Sequence, residues 1–224
     1  MEAEQGDEHP AVYLILHGVS KRHNIGNIVR SAAAFRVTEV CLTGTRQFNT
    51  FGSHGATDFV AYRFFPTVQQ CCTFLKQERG CRILGVEITD NAAQIHEHPF
   101  TGPTAFMLGN EGTGLSEHQA KLCDGFVYIQ QYGAGTASLN VSVAAAIVLH
   151  HFALWASFPE RSRQGEKYDV GERPVRRVAR GYVPLTVKEL EQEQQRRAAK
   201  KASGDGEVSG SASSEGELEL LEHA

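Results

Sequence analysis

The chain has 224 residues, of which 41% are hydrophobic, and its 22 basic and 26 acidic side chains give a formal net charge of −4. That length and apolar share suit one globular domain of roughly 150 residues with some chain left over. The net charge excludes a chain that is basic throughout, as a simple nucleic-acid-binding protein would be.

The cysteines and the N-terminus indicate the cellular compartment in which we expect the protein. The 5 cysteines are odd in number, and no two have the Cys-x-x-Cys spacing of a zinc or redox site. They therefore favour a reducing compartment, with each thiol acting as a small hydrophobe. The N-terminus lacks the pattern of a targeting segment, and the longest apolar run, residues 141–149, is too short to span a bilayer. We expect a soluble intracellular protein in the cytoplasm, with nucleus and organelle left open.

Short apolar segments predict strands that alternate with helices. The predicted strands are residues 12–16, 39–43, 59–64, 82–88, 104–108 and 126–129. The predicted helices are residues 25–35, 68–78, a short one from Ser116, and about 139–155. Asn24 is the predicted N-cap of the first helix, and Gly80 the predicted stop of the second. Because the strands are apolar on both faces, we predict an α/β fold with a parallel sheet and helices on both faces.

Charge and composition divide the chain into four parts. We predict a flexible N-terminus at residues 1–10, a folded domain at residues 11–160, a basic extension at residues 161–201 and a disordered acidic tail at residues 202–224. The extension carries about +6 and the tail about −6, so they cancel in the net charge. The extension is either a solvated linker or an RNA-binding segment, and both interpretations stay open.

Three polar motifs fall at the ends of predicted strands or the starts of helices, where ligands of parallel sheets bind. Residues 24–31 (NIGNIVRS) place Arg30 in an otherwise apolar helix, where it either reaches solvent or needs a partner. Residues 109–114 (GNEGTG) match neither a P-loop nor a dinucleotide fingerprint. Residues 130–142 (QQYGAGTASLNVS) lead into a helix, and taken alone they read as an ordinary cap with a Gly-rich approach.

In this order, the three motifs resemble those of the SpoU (TrmH-like) family of RNA 2′-O-ribose methyltransferases, within the SPOUT class. The Asn-x-Gly-x-x-x-Arg pattern is matched by Asn24, Gly26 and Arg30, Gly-Asn-Glu-Gly by residues 109–112, and Ser-Leu-Asn-Val-Ser by residues 138–142. The resemblance covers roughly residues 12–155. Two departures are Gln130, where the family usually has proline, and Arg36, where it usually has glycine.

The resemblance implies a C-terminal trefoil knot, S-adenosylmethionine as cofactor, a homodimer, and methyl transfer to a ribose 2′-hydroxyl of tRNA (guanosine) or else rRNA. The implied catalytic residues are Arg30, Asn24, Glu111, Ser138 and Asn140. The implied cofactor-binding residues are Glu87, Ile88, Leu108, Gly109, Asn110, Glu111, Gly112, Ile129, Ser138, Leu139 and Asn140. The candidate RNA-binding residues are Lys21, Arg22, Arg36, Arg46 and Arg63, chosen for their charge.

An arginine does not normally lose its proton, so we expect Arg30 to clamp a phosphate or stabilise an alkoxide; a role as base stays open. The histidines show no metal-ligand spacing, and we predict no metal. Two other functions remain possible: a SPOUT-fold module that binds RNA without catalysis, and a methyltransferase acting on a base nitrogen, a protein or a small molecule.

Overall fold

The computed structural model describes residues 9–19, 21–49, 51–174, 181–186, 189–192 and 194–196, and at Arg22 the backbone alone. Two compact units divide the chain, Met1–Pro184 and Leu185–Ala224. Most of the predicted flexible N-terminus and all of the predicted acidic tail lie outside the described residues. No helix among the described residues is long and apolar enough to cross a membrane.

A seven-stranded sheet forms the centre of the first unit. Its strands are β1 (Val12–Leu16), β2 (Glu39–Thr43), β3 (Tyr62–Phe65), β4 (Arg82–Val86), β5 (Ala93–Gln94), β6 (Thr104–Leu108) and β7 (Gly125–Tyr128). The strand order is β3-β2-β1-β6-β4-β7-β5, and every neighbouring pair is parallel. This confirms the predicted α/β fold with a parallel sheet.

Helices cover both faces of the sheet. They are α1 (Arg22–Ala34), α2 (Val68–Arg79), α3 (Glu117–Leu122) and α4 (Val141–Trp155). Because successive strand residues point to opposite faces, Leu14 packs in the core that contains residues of α1 and α4, whereas Ile15 packs with residues of α2. The prediction of helices on both faces is confirmed.

Several elements differ from the prediction at their ends. The strand expected at residues 59–64 begins later, as β3 at Tyr62, because the 3₁₀ helix Ala56–Phe59 precedes it. The Ala56 N–H donates to the Ser53 carbonyl over 3.0 Å in the turn that leads into this helix. Strand β5 was missed because its two residues do not form an apolar run. Gly80 ends α2 with a φ of 61°, as predicted.

Asn24 was wrongly predicted as the N-cap of α1. The helix begins at Arg22 with Lys21 as its N-cap, so Asn24 lies inside the first turn and is buried. Its polar side chain is satisfied there by residues distant in the sequence, described below, and this offsets the cost of burying it. A local capping rule could not have identified such partners.

One part of the basic extension forms a hairpin, and another part contacts the domain. Residues 163–168 form a hairpin of β8 (Arg163–Gln164) and β9 (Lys167–Tyr168). Further on, the Phe48 N–H donates to the Gly181 carbonyl over 2.8 Å and the Val183 N–H to the Arg46 carbonyl over 2.9 Å. The extension is therefore not wholly a solvated linker. Its arginines at 176, 177 and 180 lie outside the described residues.

An ion pair provides a second anchor for the extension. The Arg173 guanidinium donates from Nε to Asp58 Oδ2 over 2.6 Å, and the Asp58 side chain is only 4% exposed. Asp58 sits in the 3₁₀ helix that follows the long loop after β2. Arg173 therefore fastens the extension to this loop.

We expect Arg173→Met to lower the free energy of unfolding by about 1–3 kcal/mol, because a buried carboxylate loses a charged partner. Urea unfolding measures the change. The matched control is Arg163→Met, whose partner Glu160 lies at 3.7 Å with both side chains well exposed; it should cost about 0.5 kcal/mol or less. Equal losses in the two variants would contradict the anchoring role.

The second unit is described at nine residues, which begin a helix. The Thr186 hydroxyl and N–H both donate to Glu189 Oε2 over 2.8 Å, and the Leu190 N–H donates to the Thr186 carbonyl over 2.9 Å. The Thr186 hydroxyl also accepts from the Glu189 N–H over 3.3 Å. This reciprocal pair is a capping box, which explains why a helix starts at this point.

All five cysteines are unpaired thiols, and they pack on the α2 side of the sheet. Burial raises the pKa of Cys72 and Cys81 to about 12 and that of Cys123 to about 11. Each is thus a protonated, weakly reactive thiol at neutral pH. The interpretation of the cysteines as small hydrophobes agrees with this placement.

These raised thiol pKa values predict that the free energy of unfolding decreases at alkaline pH. In the unfolded chain the thiols ionise near pH 9, so their contribution is complete below pH 9 and is lost as pH rises toward 12. We expect the double variant Cys72→Ala, Cys81→Ala to lose less stability than the wild type between pH 9 and pH 11, measured by urea unfolding. If the free energy of unfolding changed equally with pH in the two proteins, the raised pKa values of these thiols would be contradicted.

Candidate functional site

A cavity of about 640 Å³ opens at the carboxyl ends of β4, β6 and β7. That size falls within the usual range for small-molecule sites, and the position is where ligands of parallel sheets bind. All eleven residues predicted to bind the cofactor lie in its wall. The wall is completed by Lys21, Val86, Thr113, Gly114, Leu115, Tyr128, Gln131, Val141 and Ala144.

The loop after β6 is held tightly on itself. Asn110 and Gly114 exchange two backbone hydrogen bonds of 2.9 Å, and Asn110 Oδ1 accepts from the Gly112 N–H over 2.8 Å. Asn110 Nδ2 donates to the Gly18 carbonyl over 2.8 Å, which ties this loop to the one after β1. A Cβ on Gly109 would lie 2.4 Å from the Gly114 carbonyl carbon, so the loop closes only if residue 109 is glycine.

Glu87 joins the loops after β4 and β6. Its Oε2 accepts from the Leu115 N–H over 3.1 Å, and its Oε1 accepts from the Ile88 N–H over 3.2 Å. A Cβ on Gly114 would come within 2.3 Å of the same carboxylate. Glu87 therefore shapes this wall of the cavity by bonding to backbone groups.

One chain of hydrogen bonds connects the three sequence motifs. The Ser142 hydroxyl donates to Asn140 Oδ1 over 2.7 Å, Asn140 Nδ2 donates to Asn24 Oδ1 over 3.1 Å, and Asn24 Nδ2 donates to Glu111 Oε1 over 3.0 Å. The Lys21 N–H donates to the same Glu111 oxygen over 2.9 Å. We call these five residues the polar chain.

The direction of the polar chain is fixed by one backbone group. The Ser142 N–H also donates to Asn140 Oδ1, over 2.9 Å, and an N–H cannot accept. The oxygen of Asn140 must therefore face Ser142, its amino group must face Asn24, and the amino group of Asn24 must face Glu111. Glu111 consequently ends the chain as an acceptor at the rim of the cavity.

Two of the predicted catalytic residues stand apart from the polar chain. Arg30 is exposed on α1, and no hydrogen bond or ion pair joins its guanidinium to any described residue. Ser138 is exposed in the cavity wall, and its carbonyl accepts from the Thr136 hydroxyl over 2.8 Å. Thus Asn24, Glu111 and Asn140 come together, whereas Arg30 and Ser138 face solvent.

The loop after β7 is braced by the residue that replaces the family's usual proline. Gln130 Nε2 donates to Gln94 Oε1 on β5, and the Tyr132 hydroxyl donates to Gln130 Oε1 over 2.8 Å. Side-chain hydrogen bonds thus restrain this loop. At the other departure, Arg36 adopts a φ of 56°, a conformation that glycine adopts without strain.

Gly26 in the first motif allows a loop to lie directly on α1. A Cβ at this position would fall 1.7 Å from the Phe51 carbonyl oxygen. Any larger residue would push away the loop that precedes the 3₁₀ helix. The glycine of the first motif is therefore explained by close packing.

The candidate RNA-binding residues have different surroundings in the described part of the chain. Arg63 donates to Glu39 over 2.9 Å, which raises its pKa, and it lies over the Phe74 ring on the α2 side. Arg46 lies 4.0 Å from the Phe64 ring centroid and donates to the Pro184 carbonyl. Both side chains are thus engaged within the fold, and a role for them in RNA binding stays a prediction.

The other three lie elsewhere. Lys21 is exposed and lines the cavity, and Arg36 is exposed with its guanidinium 5.4 Å from the Phe158 ring centroid. The side chain of Arg22 lies outside the described residues. No group of three or more histidine, cysteine or carboxylate side chains in the described part of the chain could hold a metal ion.

Sequence reasoning missed two kinds of site residue. The Lys21 N–H is a backbone donor, and such a donor cannot be recognised from the identity of the side chain. Tyr128, Gln131 and Ala144 reach the cavity through their positions at the end of β7 and on the first turn of α4. The register of α4 could have suggested Ala144, because it lies one turn after Asn140.

Similarity to known proteins covers the part of the chain that builds the cavity. The model of the SpoU rRNA methylase family matches residues 11–150. A tRNA (guanosine(18)-2′-O)-methyltransferase of Thermus thermophilus is 34% identical over 168 residues, which cover 74% of this chain and 81% of the relative. A 23S rRNA (guanosine-2′-O-)-methyltransferase of Coxiella burnetii is 34% identical over 148 residues, 64% of this chain and 58% of the relative.

A solved structure extends the comparison to the fold. The SpoU methyltransferase AviRb from Streptomyces viridochromogenes, solved in complex with the cofactor AdoMet, superposes with a TM-score of 0.60 at 23% identity. The match covers 67% of this chain and 62% of that one. With the family model matching well over half of the residues, the chain belongs to the SpoU rRNA methylase family.

Proposed function

We propose that this protein transfers a methyl group from S-adenosylmethionine to the ribose 2′-hydroxyl of an RNA nucleotide. The observation that carries the proposal is the polar chain, which joins all three motifs beside a cavity of suitable size. Family membership and the names of the two relatives support the same reaction.

The cavity fits the proposed cofactor in size and character. Its volume of about 640 Å³ holds a molecule of this size, and Leu108, Ile129 and Leu139 provide apolar surface for a flat base. Close packing at Gly109 keeps side chains out of this part of the wall, so backbone groups face the space. When bound, the cofactor would supply an activated methyl group on a sulfonium sulfur.

The residues of this chain would position the acceptor. A ribose hydroxyl is a weak nucleophile, and most of the rate should come from holding it in line with the methyl group. Glu111 is fixed by the Lys21 N–H and by Asn24, so its position is set before RNA binds. We propose that Glu111, Asn140 and the exposed Ser138 bind the target ribose by hydrogen bonds.

Arg30 would contact the phosphate next to the target ribose. Its guanidinium is exposed and makes no bond to the described residues, so it is available for a partner from outside. A guanidinium binds phosphate through two parallel hydrogen bonds, and it stays protonated at neutral pH. We therefore assign Arg30 the role of phosphate clamp and charge stabiliser.

The substrate would be tRNA, at a guanosine, with rRNA as the second candidate. The Thermus relative supports tRNA, because the chain matches most of that protein, whereas the Coxiella relative supports rRNA over a shorter match. Methylation assays on tRNA and rRNA from cells that lack the gene would distinguish them. Incorporation into rRNA alone would overturn the preference for tRNA.

We further propose a homodimer whose interface includes α4. Val143 and Leu154 are 47% and 56% exposed and, together with Ile147 and His150, lie at spacings that form one stripe along the helix. Such a stripe, in which three of the four side chains are apolar, is suited to burial against a second copy. Sedimentation should show a dimer, and Leu154→Glu should weaken it; a wild-type monomer would contradict the proposal.

We also propose that the chain is knotted in its C-terminal part. The segment after β7, at Ile129, Gln131 and residues 138–140, lines one cavity with the loops after β4 and β6, which supports a segment that passes between these two loops. When the two ends are pulled apart, a trefoil tightens instead of disappearing. The end-to-end length after unfolding by force should then be shorter than that of the fully extended chain. The difference should be about 3.3–3.6 Å for each residue held in the tightened knot.

Titration with S-adenosylmethionine tests the cofactor site. We expect Ala144→Leu to abolish or strongly weaken binding, because the added atoms enter the cavity, and Ala153→Leu, on the same helix but outside the wall, to leave it unchanged. No binding by the wild type would favour a module that holds RNA without catalysis.

A further inference from the structure

Phe51 is an exposed aromatic residue beside the first motif. The residue is 57% exposed, although phenylalanine is among the residues most often buried. The His23 ring meets it edge to face, with centroids 4.9 Å apart and an angle of 87° between the planes. His23 is exposed as well, so the two rings form an aromatic pair that faces solvent.

The backbone of Phe51 is fixed from two sides. Its N–H donates to Asn49 Oδ1 over 2.8 Å, and its carbonyl rests in the space left by the missing side chain of Gly26. Further along the same loop, the pairing of Asp58 with Arg173 anchors the chain. The backbone at Phe51 is therefore held by contacts within the fold.

The aromatic pair lies on the same face of α1 as Arg30. His23, Asn27 and Arg30 follow one another at intervals of four and three residues, which places them in one exposed row. At 1.5 Å per residue, His23 and Arg30 are about 10.5 Å apart along the helix. A cation and a pair of aromatic rings thus share one exposed surface, close enough for a single RNA strand to contact both.

From this arrangement we propose that the His23–Phe51 pair stacks an unpaired base of the substrate RNA, next to the nucleotide whose phosphate Arg30 binds. Proteins bind single-stranded RNA by stacking bases on aromatic side chains while cationic residues hold the backbone. The proposal rests on the proposed function, since it takes RNA as the ligand. It makes Phe51 a residue that selects unpaired over duplex RNA.

The test measures binding without turnover. The probe is a 12-nucleotide single-stranded RNA with 2-aminopurine at its centre, and a 12-base-pair duplex of the same sequence is the comparison. Phe51→Ala should weaken binding of the single strand by about 5- to 150-fold, the range for loss of one base stack, and should leave duplex binding unchanged. Phe51→Trp keeps an aromatic ring, so it should bind the single strand about as tightly as the wild type and should quench the 2-aminopurine fluorescence.

The matched control is Tyr168→Ala in the β8–β9 hairpin, because Tyr168 is exposed to a similar extent, 53%. It should bind both probes like the wild type. Equal affinity of Phe51→Ala and wild type for the single strand, or no preference of the wild type for it, overturns the inference. If Phe51→Ala dissociated a dimer, the His23–Phe51 pair would belong to a subunit interface, and the base-stacking inference would also be overturned. Failure of the methyltransferase function would show instead as absent binding of S-adenosylmethionine by the wild type.

Discussion

Replacing Arg30 by alanine should reduce methyl transfer by about 10²–10³-fold or more, the cost of removing a preorganised group that stabilises developing charge. The side chain is exposed and bonds to no described residue, so its loss should change the free energy of unfolding by about 0.5 kcal/mol or less. Binding of S-adenosylmethionine should be unchanged, because Arg30 is absent from the cavity wall.

Two further variants make this prediction specific. Arg79→Ala removes an exposed arginine from α2, on the opposite face of the sheet, and should methylate at the wild-type rate. Arg30→Lys keeps the charge but loses the paired hydrogen bonds, so part of the rate should return with an unchanged dependence on pH. A shifted pH dependence would favour the alternative role of base, and a wild-type rate in Arg30→Ala would refute any catalytic role.

Replacing Asn24 by aspartate should have the second large effect, because it removes the donor of one hydrogen bond in the polar chain. Asn24 Nδ2 now donates to Glu111 over 3.0 Å, and the variant would place two carboxylates at that separation. Like charges this close repel strongly unless they share a proton. We expect methylation to fall by about 10²-fold or more at pH 8, since Glu111 would move from its place at the rim.

The pH dependence identifies the cause of that loss. At acid pH the two carboxyl groups of Asn24→Asp can share a proton and restore a hydrogen bond, so activity relative to wild type should rise from pH 8 to pH 5.5. The control is Gln77→Glu, the same change of amide to carboxylate at an exposed position on α2. It should show no such rise. A constant activity ratio across this range would count against the polar chain as the positioning device.

The sequence predicted well those features that depend on neighbouring residues. Apolar runs located the strands, and Gly80 marked the end of α2, because periodicity and backbone conformation are local properties. The second and third motifs predicted much of the cavity wall, because each follows a strand at the same edge of the sheet.

The features that were missed depend on contacts between distant parts of the chain. Asn24 looked like an N-cap, but its partners Glu111 and Asn140 lie 87 and 116 residues away. The extension was judged by its charge, whereas Arg173 contacts Asp58 across 115 residues. Gln130 was noted as a departure, and only the fold shows that Gln94 and Tyr132 brace it. Residue type and spacing alone cannot supply such pairings.

The most direct test of the proposed reaction is identification of the methylated product. Purified protein, labelled S-adenosylmethionine and unmodified tRNA would be incubated, and the RNA digested to nucleosides, with Arg30→Ala run in parallel. The expected result is a label confined to a 2′-O-methylated nucleoside, guanosine in tRNA, and nearly absent with Arg30→Ala. A label on a base, or equal labelling by the two proteins, would contradict ribose methylation by this site.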